Sequence, residues 1–181
     1  MTRQLLLGGF FIVGVLTSSP AAGTSAAYST AVTSSGNQFT AGTVHIGNGL
    51  AMGATLSMDN LLAGDNFDAQ LDVANGGSLG LIYAVTNTIT GSALLSTTLQ
   101  LTIRAKTLNP CANLDGTVLY TGALADAKIG DPAHGFQTGD RALGAGLTES
   151  LCFTVGMPTS ASPSLVDTTL STTFVFTAEQ T

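Results

Sequence analysis

Two histidines and a few acidic residues are the side chains in this sequence that could bind a metal or transfer a proton. His45 falls in a strand-like stretch beside a glycine-rich turn, and His134 falls in a long loop near Asp131 and Asp140. A zinc protease most simply carries His-Glu-x-x-His on one helix, which supplies two ligands and a general base, and this sequence lacks that motif. We therefore expect no enzyme activity, no catalytic residues and no metal ligands.

Three aspartates, Asp65, Asp68 and Asp72, form the second group with chemical potential. Calcium prefers six to eight oxygen ligands, and loop carboxylates can supply some of them. These three residues do not match a calcium-loop signature, and strand alternation places Asp68 and Asp72 on one face, which we expect to be solvated. A calcium-binding cell-surface adhesion module stays an alternative, while the preferred expectation is that the protein needs no cofactor.

Residues 1–26 have the three parts of a secretion signal. A short start contains Arg3, residues 5–16 are apolar, and small residues follow from Pro20. The apolar run of 12 residues is shorter than the roughly 20 that a helix needs to cross a bilayer. We expect cleavage after Ala26, with Ala22 as the alternative, and a mature chain that is secreted to the extracellular matrix or cell surface without inserting into the membrane.

The charge of the mature chain limits its partners. Removing Arg3 with the signal leaves four of the five basic residues against 11 acidic ones, a net charge of 4 − 11 = −7. A chain without a basic stripe cannot release counterions from a phosphate backbone, so we expect no nucleic-acid binding. Subunits of like charge repel one another, and low pH or divalent cations would relieve that repulsion.

The two cysteines, Cys111 and Cys152, predict one disulfide, because an exported chain meets an oxidising environment. The bond would close a loop of about 40 residues and stabilise the fold by roughly 4 kcal/mol in the chain-entropy description. Two buried free thiols are the alternative.

Alternation of Thr, Val, Leu and Phe with polar residues, broken by turns about every ten residues, predicts an all-β fold. We expect a jelly-roll-like β-sandwich of about eight or nine strands in a single domain, residues 39–181. The core should include Phe39, Leu71, Leu81, Phe153, Phe174 and Phe176, and Leu99, Leu101 and Ile103 should share a buried face. A long glycine-rich loop, residues 122–146, contains a short helical turn within 124–129. The predicted strands are 39–46, 51–58, 67–74, 79–87, 97–106, 117–119, 149–155 and 170–178.

Residues 27–38 have the pattern of a short strand on a flexible arm. Tyr28, Thr30 and Val32 alternate with Ala27, Ser29 and Ala31, and a Ser-rich stretch follows. Extended, the arm spans about 40 Å. Such a segment can add a strand to the sheet of a neighbouring molecule and so build a head-to-tail polymer. The alternative is an ordinary flexible terminus.

Four segments in order resemble the TasA and camelysin family of secreted biofilm-matrix fibre proteins. They are residues 34–43 (SSGNQFTAGT), 60–65 (NLLAGD), 73–79 (VANGGSL) and 174–180 (FVFTAEQ). The resemblance implies a jelly-roll subunit that assembles into extracellular fibres, with the N-terminal segment of one subunit completing the sheet of the next. On this chain that donor segment corresponds to residues 27–38.

The resemblance also implies partners and one rival activity. The main partner would be a second copy of the chain, with an accessory matrix or anchoring protein as a further partner. The camelysin branch has been associated with a metalloendopeptidase activity, so a camelysin-like surface metalloendopeptidase stays an alternative. The sequence departs from the best-known members because it lacks their long charged insertions and carries two cysteines.

Overall fold

The alternating apolar residues form ten strands in the part of the chain that the computed structural model describes, residues 38–39, 43–46, 52–106, 111 and 115–181. All described residues belong to one unit, Thr33–Thr181. The predicted signal peptide, 1–26, and residues 27–37 of the predicted arm lie outside the described residues. The strands are β1 (Gln38–Phe39), β2 (Thr43–Ile46), β3 (Met52–Met58), β4 (Asn66–Asn75), β5 (Leu81–Gly91), β6 (Gln100–Lys106), β7 (Thr117–Ala123), β8 (Arg141–Leu143), β9 (Thr148–Gly156) and β10 (Leu170–Gln180).

The strands form two five-stranded sheets. Sheet A has the order β1-β3-β10-β5-β8, and sheet B has the order β2-β4-β9-β6-β7. When the eight strands from β3 to β10 are numbered 1 to 8, sheet A has the order 1-8-3-6 and sheet B has the order 2-7-4-5. This is the strand order of a jelly roll. The predicted all-β sandwich is therefore confirmed. β1 is an additional edge strand of sheet A, and β2 is an additional edge strand of sheet B.

The core lies between β10 and β9, the central strands of the two sheets. Phe174 of β10 and Phe153 of β9 are both 0% exposed, and their ring centroids are 4.8 Å apart. The face predicted from β6 is buried as expected, with Leu101 and Ile103 at 0% exposure and Leu99, just before the strand, also at 0%. The other predicted core residues Leu71, Leu81 and Phe176 are buried, whereas the side chain of Phe39 lies outside the description.

The segment 39–46 does not form the single strand that the sequence predicts. Phe39 ends β1 in sheet A, and Thr43 begins β2 in sheet B. The alternation continues through the segment, but periodicity reports only which residues share a face and not which sheet the backbone joins. The segment therefore contributes edge strands to both sheets.

Two further elements differ from the sequence prediction. The start of the predicted strand 97–106 is instead helical, because Ser92 caps α1 (Ala93–Thr98) by accepting a hydrogen bond from the Leu95 amide at 3.2 Å. The glycine-rich loop contains β8, which pairs with residues 81–83 of β5. The helical turn expected within 124–129 is present as a 3₁₀ helix, Leu124–Asp126, and a second one spans Pro163–Leu165.

The turn before β4 forms as its residue types predict. Gly64 has φ +95°, a region open to glycine. The Asp65 carboxylate accepts a hydrogen bond from the Leu62 amide at 2.9 Å. The motif at residues 60–65 therefore acts as a folding device.

Asn75 joins two loops at one end of the sandwich and is only 2% exposed. Its side-chain nitrogen lies within hydrogen-bonding distance of the carbonyl oxygens of Leu79 (2.8 Å), Leu143 (3.1 Å) and Gly144 (3.1 Å). Its side-chain oxygen accepts from the Gly77 amide at 2.9 Å. One buried amide thus holds the β4–β5 connection against the β8–β9 connection.

Replacing Asn75 by alanine should lower the free energy of unfolding by about 2–4 kcal/mol, because several buried backbone groups would lose their partner. Urea denaturation measures the change. Asn66→Ala is the matched control, since the Asn66 side chain is exposed and donates only to the Gly64 carbonyl. Equal losses for the two variants would contradict the role assigned to Asn75.

Thr172 of β10 offers a test in the opposite direction. It is 0% exposed, and its hydroxyl has no hydrogen-bond partner among the residues that the structure describes. Thr172→Val keeps the shape and removes the unsatisfied hydroxyl, so we expect a gain of about 1 kcal/mol in the free energy of unfolding. Thr173→Val, on the outer face of the same strand, should instead lower it by about 0.5–1 kcal/mol, because the Thr173 hydroxyl is hydrogen-bonded to the Thr55 hydroxyl at 3.1 Å. A lower denaturation midpoint for Thr172→Val would show that the hydroxyl is bonded.

Candidate functional site

The N-terminal edge, defined here as β1 and β2 with the strands they pair, is the part of the fold that the predicted arm enters. Gln38 pairs with Ser57, and Phe39 pairs with Leu56, in antiparallel register. β2 pairs with β4 in parallel, from Thr43 beside Asp72 onward. Only residues 40–42 separate β1 from β2, a step of about 14 Å at most, and packed sheets lie about 10 Å apart. The two short strands therefore lie on the same side of the sandwich.

These two edge strands pair with only part of their neighbours. β1 pairs with two of the seven residues of β3, and β2 pairs with four of the ten residues of β4. Among the described strands, none pairs with residues 52–55 or 66–71 on that side. An edge strand that has only a short partner among the described strands is a template on which another extended segment can pair.

The structure describes only the end of the predicted donor arm. Gln38, its last residue, belongs to β1. The residues predicted to form the donor strand, Ala27, Tyr28, Ser29, Thr30, Ala31 and Val32, lie outside the description. The structure thus gives the point at which the arm joins the sandwich, and the pairing of the arm itself stays a prediction.

The predicted disulfide between Cys111 and Cys152 is present, with the two Cα atoms 5.5 Å apart. Cys152 alternates with the buried residues Leu151 and Phe153, so its side chain is on the outer face of sheet B. It is nevertheless only 3% exposed. Cys111 lies 3.7 Å from the carbonyl oxygen of Ala69 in β4. The disulfide therefore fastens the β6–β7 connection over the outer face of sheet B.

Lys106 at the end of β6 is paired beside this disulfide. Its ammonium group forms an ion pair with Asp115, and its side chain is 1% exposed while that of Asp115 is 47% exposed. The hydrogen bond from Lys106 lowers the pKa of the Asp115 carboxyl below its ordinary value. The aliphatic part of the Lys106 side chain is therefore buried, while the more exposed Asp115 carboxylate neutralises the charge of its ammonium group.

Tyr83, Arg141 and Glu149 form a polar cluster between the sheets. The Tyr83 hydroxyl donates to the Glu149 carboxylate, which also receives hydrogen bonds from the Arg141 guanidinium. Tyr83 and Arg141 belong to sheet A, and Glu149 belongs to sheet B. Burial and then Glu149 raise the pKa of the Tyr83 phenol far above its ordinary value. The hydrogen bond to Glu149 raises the pKa of Arg141. The cluster clamps one end of the sandwich.

The sequence analysis missed this cluster, although one signal for it was present. Glu149 falls on the same alternating face of β9 as Leu151 and Phe153. A carboxylate on an apolar face needs a buried partner. No local pattern shows that Arg141 and Tyr83 supply it.

The three aspartates considered for calcium each hold a protein contact. Asp65 accepts from the Leu62 amide. Asp68 accepts from the Thr154 hydroxyl at 2.6 Å, and Asp72 accepts from the Ser150 hydroxyl at 2.7 Å. Asp68 and Asp72 do lie on one face of β4, as predicted.

The histidines lie in different parts of the fold, His45 in a strand of sheet B and His134 in the loop before β8. His45 is in β2 beside Ala74 of sheet B, and its side chain lies outside the description. His134 is exposed, and its Nε2 lies 3.7 Å from the Glu179 carboxylate at the end of β10 in sheet A. Asp140, near His134 in sequence, accepts hydrogen bonds from the amides of Asp131 and Gln137 and shapes the loop.

The described residues contain no group of three or more His, Cys, Asp or Glu side chains placed to hold a metal ion. No helix within the ranges described has the length and apolar character needed to cross a membrane.

Tyr83 should make the stability of the fold sensitive to alkaline pH. Its pKa is raised above the ordinary value of 10.0, so its contribution to stability is full below about pH 10 and is lost as the pH rises further. We expect Tyr83→Phe to lose less stability than the unmodified protein between about pH 8 and about pH 11. Urea midpoints at both pH values measure this.

Tyr120→Phe is the control for this comparison. The Tyr120 hydroxyl donates to the Ala123 carbonyl at 2.6 Å. Burial also raises the pKa of Tyr120, but Tyr120 is only partly buried, so we expect Tyr120→Phe to change the pH dependence less than Tyr83→Phe does. A spectroscopic titration in which every tyrosine ionises reversibly near pH 10 without unfolding would contradict the burial of Tyr83.

Comparisons with known proteins give no family for this chain. No protein-family model matches it, and no curated protein matches it. Among solved structures, it is similar to PliG from Aeromonas hydrophila, a periplasmic inhibitor of g-type lysozyme, with 8% sequence identity and a TM-score of 0.33 over 76% of this chain and 96% of that chain. A likeness at this TM-score supports no statement about function.

Proposed function

We propose that this protein is a secreted structural subunit that polymerises into extracellular fibres, as biofilm matrix or surface filaments. In this proposal the N-terminal arm, residues 27–38, pairs with an edge strand of the next subunit by donor-strand complementation. The family resemblance suggested this function, and the geometry of the N-terminal edge supports it.

The incomplete pairing of the N-terminal edge is the observation that carries the proposal. Residues 52–55 of β3 and 66–71 of β4 have no described strand partner on their outer side. Both segments are the length of a short strand, so an extended arm of about ten residues could add main-chain hydrogen bonds to either. Because donor and acceptor are different surfaces, each addition leaves a free donor and a free acceptor, and the chain of subunits grows.

Composition supports export and conditional assembly. A disulfide is typical of proteins that fold in an oxidising compartment. The mature subunit, with a net charge of 4 − 11 = −7, would repel its own copies at neutral pH. Acidification would reduce that repulsion and favour assembly. An accessory matrix or anchoring protein would fix the fibre to its surface.

Removing residues 27–37 should give a folded domain that does not polymerise. This deletion keeps Gln38, so β1 stays intact. Electron microscopy of the mature chain, residues 27–181, at raised concentration and lowered pH should show regular unbranched filaments. The shortened chain, residues 38–181, should stay monomeric under the same conditions.

A chain in which residues 27–37 are replaced by Gly and Ser at equal length is the matched control, because it keeps the length and removes the strand pattern. We expect it to behave like the deletion. Unchanged thermal unfolding would show that both variants are folded. Filaments formed by residues 38–181 would overturn strand donation by the arm, and a correctly folded mature chain that forms no filaments would overturn self-assembly.

A further inference from the structure

The two ends of the sandwich each carry exposed apolar side chains. Strand β5 has 11 residues, so its two ends lie about 35 Å apart. Leu79, two residues before β5, is 52% exposed, and Leu94, three residues after it, is 58% exposed. We call the end of the sandwich at which β5 begins the first end, and the end at which β5 finishes the second end.

At the first end, a second exposed leucine lies beside Leu79. Leu147, between β8 and β9, is 58% exposed. The Asn75 side chain donates to the Leu79 carbonyl at 2.8 Å, and the Asn75 backbone amide donates to the Leu147 carbonyl at 2.9 Å. Because Asn75 is buried, it holds the backbones of both leucines in place. The two exposed side chains therefore lie together on a preformed surface.

The second end has a matching pair of apolar side chains. Val166, in the β9–β10 connection, is 41% exposed. The Ser92 amide donates to the Thr169 carbonyl at 3.0 Å. This bond joins the connection that carries Leu94 to the connection that carries Val166. Gly91, with φ +103°, allows the close approach, because a Cβ atom there would lie 2.5 Å from the Thr169 carbonyl oxygen.

The chain enters the sandwich at the second end. Gln38, the first residue of β1, pairs with Ser57. Ser57 is one residue from the end of β3, and β3 finishes beside the start of β10 and the end of β5. Since β1 is antiparallel to β3, it runs from the second end toward the first. Residues 27–37 therefore join the sandwich at its second end.

Strand donation in line with β1 would bring unlike ends together. β1 pairs with Ser57 and Leu56 of β3, so residues 52–55 of that edge lie between β1 and the first end. Residues 27–37, which span at most about 40 Å when extended, reach residues 52–55 of the next copy if its first end faces the second end of the donor. The arm then pairs antiparallel to β3, as β1 does.

We propose that consecutive copies of this chain pack end to end through these apolar side chains. Leu79 and Leu147 of one copy form one side of the contact, and Leu94 and Val166 of the next form the other. The inference rests on the proposed fibre function and adds a second contact to strand donation. Because the two surfaces differ, each contact leaves one of each kind free, and the assembly stays open.

The energetics of this contact follow from its size. Packing the half-exposed side chains together removes apolar surface from water, which favours association. The four side chains are too few to fill a standard interface of about 1,600 Å², so the paired arm supplies the remaining area. The end contact thus sets how copies stack, and the arm makes the stack stable.

Disulfide trapping tests the contact directly. Leu147→Cys and Leu94→Cys each place one thiol at one end of the mature chain, and exposed positions should tolerate the change. We expect covalent dimers when the two variants are mixed at raised concentration and oxidised. We expect none from either variant alone, because like ends do not meet. Leu79→Cys mixed with Val166→Cys is a second pair. Phe136→Cys is the control, because Phe136 is 70% exposed in the loop before β8 and should trap neither end.

The concentration needed for filaments gives an independent measurement. Leu79→Ser combined with Leu147→Ser should raise it about tenfold, because apolar surface is no longer buried between copies. Phe136→Ser removes a more exposed apolar side chain and should leave it unchanged.

The outcomes separate the end contact from strand donation. Filaments in which neither mixed pair cross-links, or an unchanged concentration for the double serine variant, would overturn the end contact and leave strand donation intact. Cross-linking of equal yield with Phe136→Cys would also overturn it. Cross-linked dimers from a chain that forms no filaments would support the end contact while contradicting fibre formation.

Discussion

The contact between Phe153 and Phe174 is the interaction on which the rest of the structure depends. The two rings lie on the central strands of the two sheets, with centroids 4.8 Å apart and no exposed surface. Aromatic pairs at this distance add to the free energy of burial. Because each sheet grows outward from its central strand, the contact sets the spacing at which β3, β4, β5 and β6 pack. The short edge strands and the loops then close a sandwich whose depth is already fixed.

Local pattern predicted the fold where one face of a strand meets the core. Leu101 and Ile103 alternate with polar residues, and Phe174 and Phe176 are two positions apart in a strand flanked by threonines. Burial on one side leaves few other ways to arrange them. It failed for α1, because Ser92 caps a helix within a stretch rich in Thr and Leu that also suits a strand. It failed at 39–46 and at β8, because pairing between distant segments determines which sheet a short strand joins.

The candidate sites divide in the same way. Cys111 and Cys152 could be paired from sequence because only two cysteines exist. The turn role of Asp65 follows from its position after Gly64. By contrast, the Tyr83–Arg141–Glu149 cluster is assembled from strands far apart in sequence. No spacing rule predicts such groupings, because their geometry arises only after the sheets have packed.

The position of β10 determines how the sandwich would respond to a pulling force. β10 pairs over its whole length with β5 and over residues 170–176 with β3, so tension along β10 loads many hydrogen bonds in shear at once. β1 pairs through two residues at an edge, so tension entering there loads one or two hydrogen bonds at a time. The sandwich is therefore mechanically asymmetric, compliant at its N-terminal strand and stiff at its last one. Under load it would peel from the N-terminal side while the Phe153–Phe174 core stayed closed.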